Sequence, residues 1–260
     1  MELKFFHLRD TTNIGDRWCS PFDHIDWSKY PKVNASVQDI MQPSPDYDFG
    51  IFGGGKILRS IAKSPAWRPR FNAAWGISTA HRNPFSMSPF LAKRRLNLIG
   101  SRDWDGRAGL GGYDWVPCAS SEHPFFDAPP PPRHSVVVYA HKLKSKSLST
   151  NVPDGIPMAD NHSGDFLDAL AFIASGETVV SNSYHGVFWA LLMGRKVLCA
   201  PFNNKFLHYR LPPGYTAEAD WAKNLHLAAA APELLDLCRE ATRSFERKIV
   251  DHIARLSFKN

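Results

Sequence analysis

Thr178–Phe206, TVVSNSYHGVFWALLMGRKVLCAPFNNKF, decides the fold. A β-branched run, Thr178-Val179-Val180, gives way to a small polar turn, Ser181-Asn182-Ser183. The apolar run Val187–Met193 closes on Gly194, and a second strand-like run, Lys196–Ala200, follows. The order is strand, turn, helix, strand, with Gly194 as the helix stop and Arg195 and Lys196 near its negative end. Tyr184, His185 and Gly186 then fall in the first helical turn, beyond the carboxyl end of a strand. Parallel α/β sheets place ligands there, and the N–H groups of a helix start favour an anion.

Working outward, the 260 residues suffice for one large domain or two small ones. A hydrophobic share of 43% and a charged share of 22% are those of an ordinary globular protein. The net charge of +6 points to anionic partners: phosphorylated substrates or a phospholipid surface. The basic residues are scattered, without a zinc-finger spacing or an aromatic RNA-binding box, so nucleic acid is not expected. Cys19, Cys118, Cys199 and Cys238 are far apart and read as reduced thiols of a cytosolic protein. The start, MELKFFHLRD, is strand-like rather than a signal peptide, and no apolar run approaches the roughly 20 residues that span a bilayer. A cytoplasmic location follows, with contact at the inner membrane face left open.

Leu3–Leu8 reads as the first strand and empties into Asn13-Ile14-Gly15-Asp16. Tyr47–Phe52 is a strand running into Gly53-Gly54-Gly55-Lys56, where glycines permit close backbone approach to a ligand or a neighbouring element. The cluster is not a P-loop, because Ile57 replaces the hydroxyl residue, and not a dinucleotide fingerprint, because Leu58 takes the third glycine position. Asn72–Ser78 and Leu96–Ile99 are further strands, with loop and short helix over Pro84–Arg95; the second strand delivers Arg102 and Asp103. An arginine at a strand end is either a solvated charge or a fork for a carboxylate or phosphate. Pro129–Pro132 is a stiff spacer and the expected domain boundary, giving an N-terminal α/β domain over 1–128 and a C-terminal one over 133–260. The second half opens on the strand Ser135–Ala140 and a basic loop, His141–Ser147, then a strand over Ile156–Ala159 and a helix over Asp165–Ala174. It closes on a long amphipathic helix, Pro232–Leu256. No H-E-x-x-H, Cys/His cluster or G-x-S-x-G is present, so neither a metal nor a serine nucleophile is expected.

Several of these motifs together resemble the polysaccharide pyruvyl transferase family. The likeness lies in S-N-S-Y-H-G with its apolar helix, G-R-K-V and P-F-N-N-K-F (181–206), in N-x-G-D-x-x-x-x-P (Asn13 to Pro21), in the glycine cluster at 53–55, in the Arg102-Asp103 pair and in W-V-P-C-x-S (Trp115–Ser120). It implies two Rossmann-like domains facing across a cleft, as in GT-B glycosyltransferases. The implied activity is transfer of a pyruvate ketal from phosphoenolpyruvate to a sugar of a cell-surface glycan, free or lipid-linked, with no other cofactor. Carried over, His185 and Asp16 are the catalytic candidates. Arg102, Ser183, Tyr184, Lys205, Gly54 and Gly55 are the donor or anion contacts. Several members have Arg-Leu-His where this chain has Ser183-Tyr184-His185, so either Lys205 or Arg195 supplies the missing cation or the donor differs. A GT-B glycosyltransferase using a nucleotide sugar is the alternative enzyme, and a non-catalytic glycan-binding module the third class.

Overall fold

A computed structural model describes residues 2–41, 47–55, 57–63, 71–80, 93–144, 148 and 152–257. The chain divides into two compact units: the first holds Met1–Thr11, Asp16–Glu122 and Cys238–Asn260, the second Thr12–Gly15 and His123–Leu237. In chain order the elements are β1 (Leu3–His7), α1 (Ile14–Arg17), α2 (Pro21–His24), β2 (Lys32–Ser36), β3 (Phe49–Gly55), α3 (Leu58–Lys63), β4 (Phe71–Ile77), β5 (Leu98–Ser101) and β6 (Asp114–Trp115). They continue with β7 (His134–Ala140), β8 (Met158–Asp160), α4 (Phe166–Ala174), β9 (Gly176–Ser181), α5 (Tyr184–Leu192), β10 (Lys196–Cys199), β11 (Gly214–Tyr215) and α6 (Leu234–Ser257).

The first unit carries a sheet in the order β2-β1-β3-β4-β5-β6, with every pairing parallel. Alternation along each strand feeds two cores. Phe5, Ile51, Ala73 and Trp75 face a layer that holds Trp27 and the α6 residues Phe245, Ile249 and Ile253. Phe6, Phe52, Ala74 and Ile77 face α3 through Leu58 and Ile61. Burial on both faces is the rule for parallel sheets, and each large apolar side chain so buried contributes roughly 2 kcal/mol.

The second unit's sheet runs β11-β10-β9-β7-β8, again all parallel. Counting strands within each unit, the first sheet has the order 2-1-3-4-5-6 and the second 2-1-3-4-5. The connections therefore reverse direction between the first and third strands: β1 and β3 in one sheet, β7 and β9 in the other. Ligands of open parallel sheets bind outside the carboxyl ends of the strands at such a switch point.

The chain is thus two parallel α/β units, as its strand–helix alternation indicated, but the division differs from expectation. The cut falls at Glu122/His123 rather than at the proline run, because Pro129–Pro132 is held within the second unit. There the Arg195 guanidinium donates to the Pro130 carbonyl, and the Arg133 and His134 amides donate to Ser175 O at 2.7 and 2.9 Å. The closing helix is core as expected, yet from Cys238 onward it belongs to the first unit, where Phe245, Ile249 and Ile253 sit. The glycines at 53–55 are the last residues of β3 rather than a loop after it. Lys56, most of the Pro84–Arg95 segment and Ser145–Ser147 of the basic loop lie outside the described residues.

Candidate functional site

In the second unit the carboxyl edge is tied together by two buried asparagines. Asn182, just past β9, accepts from the His141 amide past β7 at 2.7 Å and donates to Glu218 Oε1 at 2.6 Å and to Lys144 O at 3.3 Å. Asn161, just past β8, accepts from the Lys142 amide at 3.0 Å, and its own amide donates to Ala140 O at 3.0 Å. Side-chain amides suit this role because each can donate and accept at once. Ser181 Oγ donates to Tyr139 O at 2.6 Å and accepts from the Ser183 amide at 3.0 Å, so the turn that leads into α5 is fixed before the helix begins.

Ser183, Tyr184 and His185 follow at the switch point, 3%, 5% and 5% exposed. Ser183 is the N-cap of α5 but makes no side-chain capping bond, and the first N–H groups of any helix lack intrahelical partners. Gly186 lets the helix start lie against the sheet, because a Cβ there would overlap the Tyr139 ring and come within 2.7 Å of Ser181 Oγ. The Tyr184 ring stacks on Tyr209 at 4.9 Å, and Tyr209 OH donates to Tyr184 O at 2.9 Å. His185 lies edge-on to Tyr184 and 5.4 Å from Trp189, with its Nδ1 side against Gly15. That contact accounts for Thr12–Gly15 clustering with the second unit, as do the Ile14 amide bond to Asn161 O (2.9 Å) and the Thr12 Oγ1 to His162 Nδ1 bond (2.7 Å).

Lys205 and Arg195 occupy opposite ends of β10. Arg195 precedes the strand and is held by Pro130; Lys205 follows it, on the edge where α5 begins. Asn203 accepts from the Lys205 amide at 3.1 Å, and Lys205 Nζ lies 4.9, 5.4 and 5.7 Å from the ring centres of Phe206, Phe202 and Tyr184. Aromatic faces favour a cation at these distances, so the ammonium is oriented as well as charged. Of these two cations, Lys205 is the one on the carboxyl edge.

In the first unit Asp16 and the β3 glycines meet at the other switch point. A Cβ on Gly55 would lie 3.3 Å from Asp16 Oδ1. Gly54 has φ +57°, and its open side is filled by the Cys19 side chain, whose thiol donates to Asp16 O at 3.0 Å. The close approach that the glycines permit is therefore to the chain's own Asp16–Cys19 turn. Arg102 is 5% exposed just past β5, and its charge acts on the Cys19 and Cys118 thiols, but burial outweighs it and pushes both thiols up. These are protonated, structural cysteines.

Two further polar residues stand at this edge: Asp103, noted in the sequence beside Arg102 but given no role, and His7, which the sequence reading passed over. Asp103, fully buried, accepts from Ser78 Oγ at 2.9 Å and the Ala80 amide at 2.7 Å, joining the exits of β4 and β5 beside Arg102. His7 ends β1 at 1% exposure; burial above all, then the nearby Arg9 charge, lowers its pKa from 6.5 to about 4, while a bond to the Arg17 backbone acts the other way. A hydrogen bond that raises a histidine's pKa is donated by the ring, so neutral His7 fastens the helix that carries Asp16. Asp103 had a signal, its place next to Arg102; a lone histidine in an apolar strand has none.

No protein-family model matches this chain, and no curated protein matches it. Among solved structures, a 2.2 Å crystal structure from Listeria monocytogenes, assigned as a UDP-N-acetylglucosamine 2-epimerase, aligns over 95% of this chain and 97% of its own with 10% identity and a TM-score of 0.49.

Proposed function

We propose that the chain is a glycan-modifying transferase of the pyruvyl transferase kind, moving a pyruvate ketal from phosphoenolpyruvate to a sugar diol. The observation that carries this is the second switch point: the start of α5, the His185 imidazole and the ring-flanked Lys205 on one strand edge. An anionic donor suits a helix N-terminus beside a fixed ammonium. His185 is the proton carrier. With its Nδ1 side covered by Gly15, Nε2 is the nitrogen that delivers a proton to C3 of the enol. C2 then becomes oxocarbenium-like and one sugar hydroxyl adds to it. Phosphate leaves, and the second hydroxyl closes the ketal. One hydroxyl proton leaves with phosphate and the other restores the carrier. Asp16 is the candidate to take or orient a hydroxyl proton, and Arg102 to hold donor charge. Ser183, standing where several pyruvyl transferases have arginine, favours a second reading, a glycosyltransferase with a nucleotide-sugar donor.

A thermal-shift panel of phosphoenolpyruvate, UDP, GDP, CMP and phosphate separates the two. A ligand at a hundred times its Kd adds about 2.7 kcal/mol, a rise of several degrees for a chain of this size. Phosphoenolpyruvate is expected to exceed phosphate, and His185→Ala or Arg102→Ala to cut turnover by about 100-fold or more. A shift with nucleotides alone would replace pyruvyl transfer by glycosyl transfer.

A further inference from the structure

The first unit has a cavity of about 460 Å³ away from the Asp16 edge, between the Asp26–Tyr30 segment and α6. This volume lies within the roughly 300–1,000 Å³ of small-molecule sites. Arg243, Glu246, Arg247, Val250 and Asp251 recur at helical spacing and so line it from one face of α6. Three cations, Lys29, Arg243 and Arg247, stand around it with three carboxylates, Asp26, Glu246 and Asp251. Among the described residues none of these six charges forms an ion pair, although all line one space. The wall behind them is apolar and aromatic: Trp27, 1% exposed, half-buried Tyr30, and Val250.

Balanced charge disfavours a strongly anionic or cationic occupant, since each would meet three like charges. Asp26 Oδ1 accepts from the Ser28 amide at 2.9 Å; the remaining donors and acceptors, standing beyond ion-pair reach of one another, suit a neutral molecule whose groups both give and receive hydrogen bonds. Hydroxyls do this: one can donate to Asp26 or Glu246 while accepting from Arg243 or Arg247, and charge-assisted bonds of this kind are the stronger ones. Burial, and Asp26 beside it, push the Glu246 carboxyl up, and Arg247 pulls it back, as expected for a carboxylate sharing one small space with both signs. Tyr30 offers a ring to the apolar face of a pyranose.

We propose that this cavity is a binding site for a neutral saccharide unit, distinct from the switch-point edges. The preference for a neutral polyhydroxylated ligand stands on the lining alone; the choice of a saccharide rests on the glycan-transfer reading above. Saturation-transfer NMR on the full chain tests it with lactose, cellobiose and chitobiose as probes, sorbitol as an open-chain polyol, and galacturonate and glucosamine as charged analogues. A neutral disaccharide is expected to give a signal that falls at least fivefold in Tyr30→Ala and in Arg247→Ala, persists in His185→Ala, and exceeds the signals of the charged analogues. Tyr30→Ala and Arg247→Ala should keep the wild-type far-UV spectrum and any phosphoenolpyruvate shift. No disaccharide signal, or one indifferent to both cavity variants, overturns the proposal, and an equal signal from sorbitol overturns the saccharide assignment. Cavity-dependent saccharide binding without a phosphoenolpyruvate shift would remove pyruvyl transfer and leave the site standing.

Discussion

Acidification tests the role of His7. Its folded-state pKa of about 4 lies below the ordinary 6.5, so between these values the unfolded chain binds a proton that the native chain refuses. Stability is therefore fully present above pH 6.5 and falls as pH drops toward 4. At 1.36 kcal/mol per unit, the shift is worth about 3 kcal/mol in all and about 2 kcal/mol by pH 5. The bulk pH profile does not isolate this. Burial raises the Asp23 carboxyl to about 6, against the pull of Lys32 and Arg17, so Asp23 gains stability over part of the same window. Asp23 is solvent-exposed, and screening reduces its share. The isolating quantity is the difference between wild type and His7→Gln, whose amide nitrogen can replace the donor to Arg17. Urea unfolding of both at pH 7 and pH 5 should show the wild type losing about 2 kcal/mol more than the variant. A difference that stays constant within about 0.5 kcal/mol would refute the buried, neutral histidine.

Three further outcomes follow from packing. Gly15→Ala drives a methyl into the His185 ring, and should lower turnover and any phosphoenolpyruvate shift together while costing about 1–3 kcal/mol in urea unfolding. Gly54→Ala combines a positive φ with overlap on Cys19; a loss of about 2–4 kcal/mol is expected, and near-wild-type stability would contradict the close approach. Phe245→Ala, in the core of the first sheet, should cost about 3–5 kcal/mol. Hydrogen exchange should then show amides of β1, β3 and β4 losing protection before those of β7 and β9; the reverse order would return α6 to the second unit.

The fold was legible where a pattern repeats over enough residues. Ser135–Ala140, the apolar run of α5 and the spacing of α6 announce themselves, and the ends of β9 and β10 fell within a residue or two of expectation. β6 and β11 did not, because two residues carry no period, and β2 reads KVNAS, an edge strand with an exposed start. The proline run misled because stiffness was equated with a boundary, whereas the carbonyl of Pro130 is bound by Arg195. The owner of α6 was unreadable, since amphipathic spacing states that a face is buried but not against which sheet. In the site, Tyr184, His185 and the Asp16 turn were legible from their place after strands. The asparagine ties at 161 and 182, the rings around Lys205 and the cover that Cys19 lays over Gly54 depend on which loops the sheet order brings together.

The most direct test of an anion-binding edge at the second switch point is a calorimetric titration of phosphoenolpyruvate into wild type, Lys205→Ala and Arg195→Ala. Loss of one charged contact of about 1.5–3 kcal/mol corresponds to a Kd at least tenfold weaker for Lys205→Ala, with Arg195→Ala within twofold of wild type. No binding to the wild type, or equal Kd values for wild type and Lys205→Ala, would contradict it.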